Sequence, residues 1–190
     1  TAGVLFLASL AVFGLEGWTT YLENLPGRQV GLQEAAGGMI VNLSPTILMA
    51  ARLVGLEGAI QYGLQALAVA GVLACVMWAF RGGRDPGLCC ALLFIGTILA
   101  SPFSLSYDMN MVTLAVWLLL QDMLRTGAKT GERGIAVLTW ILPCVIYVMN
   151  EAHIPIGPLV LAAIFLLVMM RLVHQGSGRA LAGGEMSQYQ

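Results

Sequence analysis

Apolar positions along this chain gather into runs of helical length. They fall at residues 2–13, 58–80, 88–100, 109–120, 135–149 and 156–170, with polar punctuation between them. About 20 apolar residues carry a helix across a bilayer core roughly 30 Å thick. Residues 58–80 meet that length alone, flanking residues extend the later runs toward it, and 2–13 falls short. The pattern predicts an all-α polytopic transmembrane helix bundle of about five full spans, near 58–80, 88–107, 109–121, 134–150 and 154–171. A truncated N-terminal span precedes them, and 1–175 forms one helical domain. Residues 176–190, with four glycines and scattered polar side chains, predict a disordered tail.

The break between the third and fourth runs is the most informative interval. Leu99-Ala100-Ser101-Pro102-Phe103-Ser104-Leu105-Ser106-Tyr107-Asp108 sets a proline, three serines, a tyrosine and a carboxylate between two apolar helices. Residues 88–100 and 109–120 make helices only about 20 Å long each. Part of the connector is therefore expected below the membrane surface. Irregular backbone and an ionisable side chain persist there only when lined by protein or water.

Composition agrees with this class. The chain is 58% hydrophobic and 10% charged, with mean hydropathy +0.84 and net charge −1. Soluble domains carry about 25% charged residues. No basic footprint suits nucleic acid, which is excluded as a partner. Arg81, Arg84, Arg125, Lys129, Arg133, Arg171 and Arg179 fall in alternate connections and the tail, against Arg28 and Arg52 on the other side. The positive-inside rule places the first group in the cytoplasm and 14–57, 101–108 and 150–155 outside. Residue 1 is Thr, and no basic leader or cleavage site marks a signal peptide, so a longer protein is expected upstream. Cys75, Cys89, Cys90 and Cys144 lack metal-ligand spacing and read as small hydrophobes.

The long outer segment 14–57 reads as interfacial helices. Trp18, Tyr21, Leu22 and Leu25 repeat at helical spacing until Pro26-Gly27. Asn42-Leu43-Ser44-Pro45 then predicts a helix start, with Ser44 as N-cap and Pro45 as first helical residue.

No phosphate-binding loop, HExxH, GxSxG or dinucleotide fingerprint is present. Glu151 and His153 are too closely spaced for a helical metal pair, and His174 suits a helix C-terminus. Asp108 either caps the helix after it or, with Tyr107, lines an outward cavity for a hydroxyl-rich or lipid-linked substrate. Arg52 either snorkels to headgroups or grips a lipid phosphate. Gln65, an amide inside an apolar span, is an interhelical hydrogen bond or a ligand.

Ala100-Ser101-Pro102-Phe103 followed by Tyr107-Asp108 and an apolar helix resembles bacterial glycosyltransferase family 87. The likeness continues upstream through Trp18, Leu22-Glu23, Leu25-Pro26, Ser44, Ala50-Ala51-Arg52, Gly55, Tyr62 and Gln65-Ala66, and covers roughly 14–120. It implies the C-terminal half of a GT-C type enzyme, a multi-pass protein of the bacterial cytoplasmic membrane. Such an enzyme moves a hexose, typically mannose, from a polyprenyl-phosphate carrier to a lipid or glycan acceptor on the outer face, with no metal and no cofactor. The general base of such enzymes is a carboxylate in a first outer loop that this chain lacks, so no catalytic residue is assigned. Phe103 stands where a tyrosine is expected. Asp108, Tyr107, Arg52 and Ser101 carry over as substrate-binding candidates. A secondary transporter with a broken-helix site, or a non-catalytic membrane fragment, fits the same residues.

Overall fold

The computed structural model describes residues 2–35, 38–56 and 58–186. Among them every regular element is helical. Among the described residues, four helical stretches have the length and apolar composition of a membrane span: Gly3–Leu25, which is interrupted at Gly14, Ala59–Arg81, Glu132–Glu151 and Ile156–Gln175.

The chain divides into two compact units, Thr1–Ile40 and Val41–Gln190. In the first, α1 (Ala2–Ala35) is interrupted at Gly14, whose φ of 66° and ψ of 173° leave the helical region. Glycine reaches that conformation without a steric penalty. Phe6 and Trp18 rings lie 5.4 Å apart and Trp18 Nε1 donates to Ser9 Oγ at 3.2 Å. A straight helix would separate residues 6 and 18 by about 18 Å, so the chain bends sharply between them. The run 2–13 is thus its own short arm. Pro26-Gly27, expected to end a helix, lies within the α1 backbone. The Arg28 side chain is outside the described residues.

After α2 (Gly38–Leu43), the second unit holds α3 (Ile47–Leu53), α4 (Ala59–Arg81), α5 (Pro86–Ala100), a 3-10 turn (Ser106–Met109), α6 (Asn110–Thr126), α7 (Glu132–Glu151) and α8 (Ile156–Met186). Its core forms around α5, which packs on α4, α6 and α8. A helix that is apolar on every side belongs in the interior. Leu88, Leu92, Ile95 and Leu99 of α5 accordingly meet Val112, Ala115 and Leu119 of α6 and Leu161, Ile164 and Val168 of α8. Close approach of α4 to α5 depends on Gly96, where a Cβ would stand 2.7 Å from Val72 Cγ1.

Several boundaries differ from those expected. α5 stops at Ala100 rather than near 107, because Ser101 is extended (ψ 126°) ahead of Pro102, as a residue before proline prefers. α3 is capped by Thr46, whose hydroxyl accepts from Met49 N, and not by Ser44. Ser44 is engaged elsewhere. The backbone of 176–186, expected as a disordered tail, continues α8. His174 is therefore mid-helix, its Nδ1 2.7 Å from Met170 O. Residues 187–190 lie outside the description.

Helix alternation gives this unit two ends. One carries α3, the 101–109 connector and the 152–155 loop. The other carries 82–85 and 127–131.

Candidate functional site

At the first end a broken stretch of backbone is held by side chains from distant helices. A helix leaves its last carbonyls without intrahelical partners, and the end of α5 is buried. Gln65 of α4 supplies the missing donors, with Nε2 2.9 Å from Ala100 O and 3.2 Å from Leu99 O. Its Oε1 accepts from Leu48 N at 3.2 Å, tying the first turn of α3 to the same amide. Gln65 is thus the interhelical hydrogen bond that its place in an apolar span suggested.

The turn itself is fastened to residues 44–46. Ser44 Oγ donates to Ser104 O at 2.8 Å, and Thr46 Oγ1 lies 3.3 Å from Pro102 O. The two hydroxyls are 3.1 Å apart. Asn150, at the end of α7, donates through Nδ2 to Asn42 O and Ser44 O at 3.0 and 3.2 Å. Gly157 of α8 lets that segment come close, since a Cβ there would lie 2.9 Å from Pro45 Cα. Ser44, Thr46, Gln65, Ser104 and Asn150 are all buried. Buried backbone polar groups need such partners.

Asp108 does not cap α6. The 3-10 turn intervenes, and Oδ2 reaches backward to accept from Leu105 N at 2.9 Å and Ser104 Oγ at 3.2 Å. The carboxylate locks the turn in which it sits. Ser101 closes α5 through its N–H to Thr97 O, and Tyr107 points outward, 68% exposed. Arg52 is turned toward α4. Its Nε donates to the buried Gln61 Oε1 at 3.0 Å, and Nη2 is 3.5 Å from Tyr62 OH. Ser101, Tyr107 and Asp108 thus share one connector, with Arg52 on the neighbouring helix α3. Between α3, α4 and the connector lies a largely apolar cavity of about 540 Å³, lined in part by Leu48, Tyr62, Gln65, Pro102 and Phe103.

The other end is built from charge. Arg171 of α8 donates to Asp122 of α6 and Glu132 of α7, and to Gly127 O at 2.8 Å. Thr126 and Gln175 complete the cluster through hydrogen bonds of 2.9 Å to Arg171 and 3.2 Å to Asp122. A cavity of about 510 Å³ opens beside it, bordered also by Lys129 and His174. Glu151, the last residue of α7, and His153, in the loop after it, are both exposed, and among the described residues no three His, Cys, Asp or Glu converge as metal ligands.

Sequence reasoning missed Gln61, Thr46 and Asn150, and used Arg171 only as a topological charge. Polar side chains within apolar runs were the available signal. Their partners lie as far as 109 positions away.

The sequence profile described as Glycosyltransferase family 87 matches residues 1–102, more than half of the chain. The matched region includes α3, α4, α5 and the opening of the connector, and Phe103 onward lies beyond it. No curated protein and no solved structure matches the chain.

Proposed function

Because the chain belongs to glycosyltransferase family 87, a family of membrane glycosyltransferases, we propose that it helps to transfer a hexose, mannose, from a polyprenyl-phosphate carrier. The acceptor is a lipid or glycan on the outer face of a bacterial cytoplasmic membrane. One observation carries this reading. An arginine (Arg52) and a carboxylate (Asp108) stand at the same end of the bundle as an apolar cavity, where neutral side chains also bond the backbone. A polyprenyl-phosphate sugar has the same three chemistries. Its isoprenoid chain suits the cavity walls, and its phosphate suits the guanidinium, which grips two oxygens in parallel. Its sugar hydroxyls suit a carboxylate acceptor and the exposed Tyr107.

The basic residues concentrate at the opposite end, which supports an outward-facing site. Alkaline phosphatase fused after Lys129 is expected to be inactive. Activity there would reverse the orientation.

Donor class is tested by photocrosslinking in membranes that contain the chain. A diazirine-bearing polyprenyl-phosphate mannose is expected to label peptides from α3 and the connector. Unlabelled polyprenyl phosphate should compete, and nucleotide-linked mannose should not. Competition by the nucleotide sugar alone would overturn the carrier. Equal competition by polyprenyl-phosphate glucose would overturn the choice of mannose.

A further inference from the structure

At the end opposite the connector, α4 finishes in Trp78-Ala79-Phe80-Arg81, and Gly82-Gly83-Arg84 turns the chain toward α5. The Arg84 guanidinium folds back over Trp78, with Cζ 3.5 Å from the ring centroid. Among the described residues its hydrogen bonds are made by Nη1, to Trp78 O at 2.7 Å and Ala79 O at 3.4 Å. Nε is buried without a hydrogen-bond partner. The nearest carboxylate in sequence, Asp85, is committed to capping α5 through Leu88 N at 3.0 Å. Among the described residues the ion pairs belong to Arg171, and neither Arg81 nor Arg84 forms one.

Two guanidiniums without a carboxylate therefore border a single cavity of about 370 Å³, whose remaining wall is Ala74, Met77, Trp78 and Gly82. The apolar part of that wall runs up α4, where Met77 is half exposed and little of the helix is covered. Positive charge at one end and an apolar track along a spanning helix at the other match an amphiphilic anion. Free phosphate would leave the track unused.

We propose that Trp78, Arg81 and Arg84 form a binding site for an anionic membrane phospholipid. Its phosphate lies against the two guanidiniums and its acyl chains lie along Ala74 and Met77. The stacked position of Arg84 is set by Gly82, where a Cβ would stand 1.9 Å from Nη1. Gly82 has φ −101° and ψ 13°, which alanine also adopts. A methyl group there evicts the guanidinium and keeps both charges.

The test is native mass spectrometry of the chain released from micelles with equimolar phosphatidylglycerol and phosphatidylcholine. The wild-type chain is expected to retain phosphatidylglycerol about thirtyfold over phosphatidylcholine, each arginine contributing roughly fivefold. R81Q should lose about fivefold of that preference and R81Q/R84Q nearly all of it. G82A should lose about fivefold with helicity and melting unchanged, and R133Q, an exposed basic residue elsewhere, should lose nothing. Equal retention of both lipids would overturn the site, as would wild-type retention in G82A. Abolition of the preference by millimolar inorganic phosphate would assign the pocket to a free anion instead. The site depends only on the bilayer interface, so its failure leaves the transferase reading standing.

Discussion

The two ends of the second unit solve different problems with different chemistry. At the connector end the groups to be satisfied are backbone carbonyls and N–H groups, freed where α5 stops inside the bundle. Neutral side chains meet them: Gln65, Ser44, Thr46 and Asn150. At the opposite end the helices α6, α7 and α8 are clamped by Arg171 between two carboxylates. An amide is cheap to bury when all its hydrogen bonds are made, whereas a charge carries several kcal/mol of desolvation that only well-placed counter-charges offset. Asp122 and Glu132 share Arg171 as their counter-ion, whereas Arg52 bonds Gln61 and Tyr62, and Asp108 bonds Ser104 Oγ and Leu105 N.

The largest effect should come from breaking the ionic end. Arg171→Ala leaves two carboxylates facing each other in a partly buried site and is expected to cost about 4 kcal/mol. Thermal unfolding in detergent reads this. Replacing the set together, as Arg171→Met with Asp122→Leu and Glu132→Met, should recover most of the loss. A triple variant as unstable as the single one would show that packing, rather than charge pairing, holds this end.

The neutral end should break less sharply. Gln65→Leu orphans Leu48 N–H and the carbonyls of Leu99 and Ala100, groups that typically cost about 1–3 kcal/mol each when buried alone and less where water enters. A loss of about 3 kcal/mol is expected by the same measurement. Gln65→Glu keeps only the acceptor and should fall between wild type and Leu. An unchanged melting temperature in Gln65→Leu would mean that water already satisfies this end of α5.

Apolar run length was the legible part of this architecture. Residues 59–81 span by length alone and the run 88–100 falls within α5, whereas the Asp85 cap that starts α5 and the Ser101-Pro102 stop that ends it short of 107 went unread. Each of these is decided by neighbours a few positions away. Other illegible features needed partners brought together only by folding. Ser44 and Thr46 are equally good N-caps by residue type. Thr46 takes the role because Ser44 is drawn to Ser104, 60 positions on. Arg171 reads as one more inside charge until α6 and α7 deliver Asp122 and Glu132. Asp108 was recognised, but not the direction of its bond, because it belongs to a 3-10 turn ahead of α6.

Close approach gives a smaller test of how the neutral end is assembled. Gly157→Ala puts a methyl group against Pro45 Cα at 2.9 Å and Ile146 Cδ1 at 3.1 Å. Backbone cannot step aside as a side-chain tip can, so about 2 kcal/mol should be lost. Gly63→Ala, on α4 with nothing within 4 Å, should be neutral or slightly stabilising, since alanine favours helix by about 1 kcal/mol over glycine. Equal responses at the two positions would show that Pro45 does not rest on α8.

Asp108→Asn should have the smallest effect on stability and is the most telling change at the site. An Asn side chain keeps an oxygen that accepts from Leu105 N, and its shape fits the same turn, so the expected loss is below about 1 kcal/mol. Activity separates the two roles. If the carboxylate serves only the turn, transfer from a polyprenyl-phosphate sugar, measured in membranes that contain the protein, should be nearly unchanged. If its charge also holds a sugar hydroxyl, a hydrogen bond worth about 1.5–3 kcal/mol is weakened, and turnover or donor affinity should drop roughly ten- to a hundredfold. The second outcome is the one expected here. Only Oδ2 is needed for Leu105 N and Ser104 Oγ, and Asp108 is only partly buried beside the exposed Tyr107. Asp108→Ala removes the turn lock and the charge together and cannot distinguish them. Full activity with wild-type melting in Asp108→Asn would assign this carboxylate to the turn alone and leave Arg52 as the ionisable candidate at the neutral end.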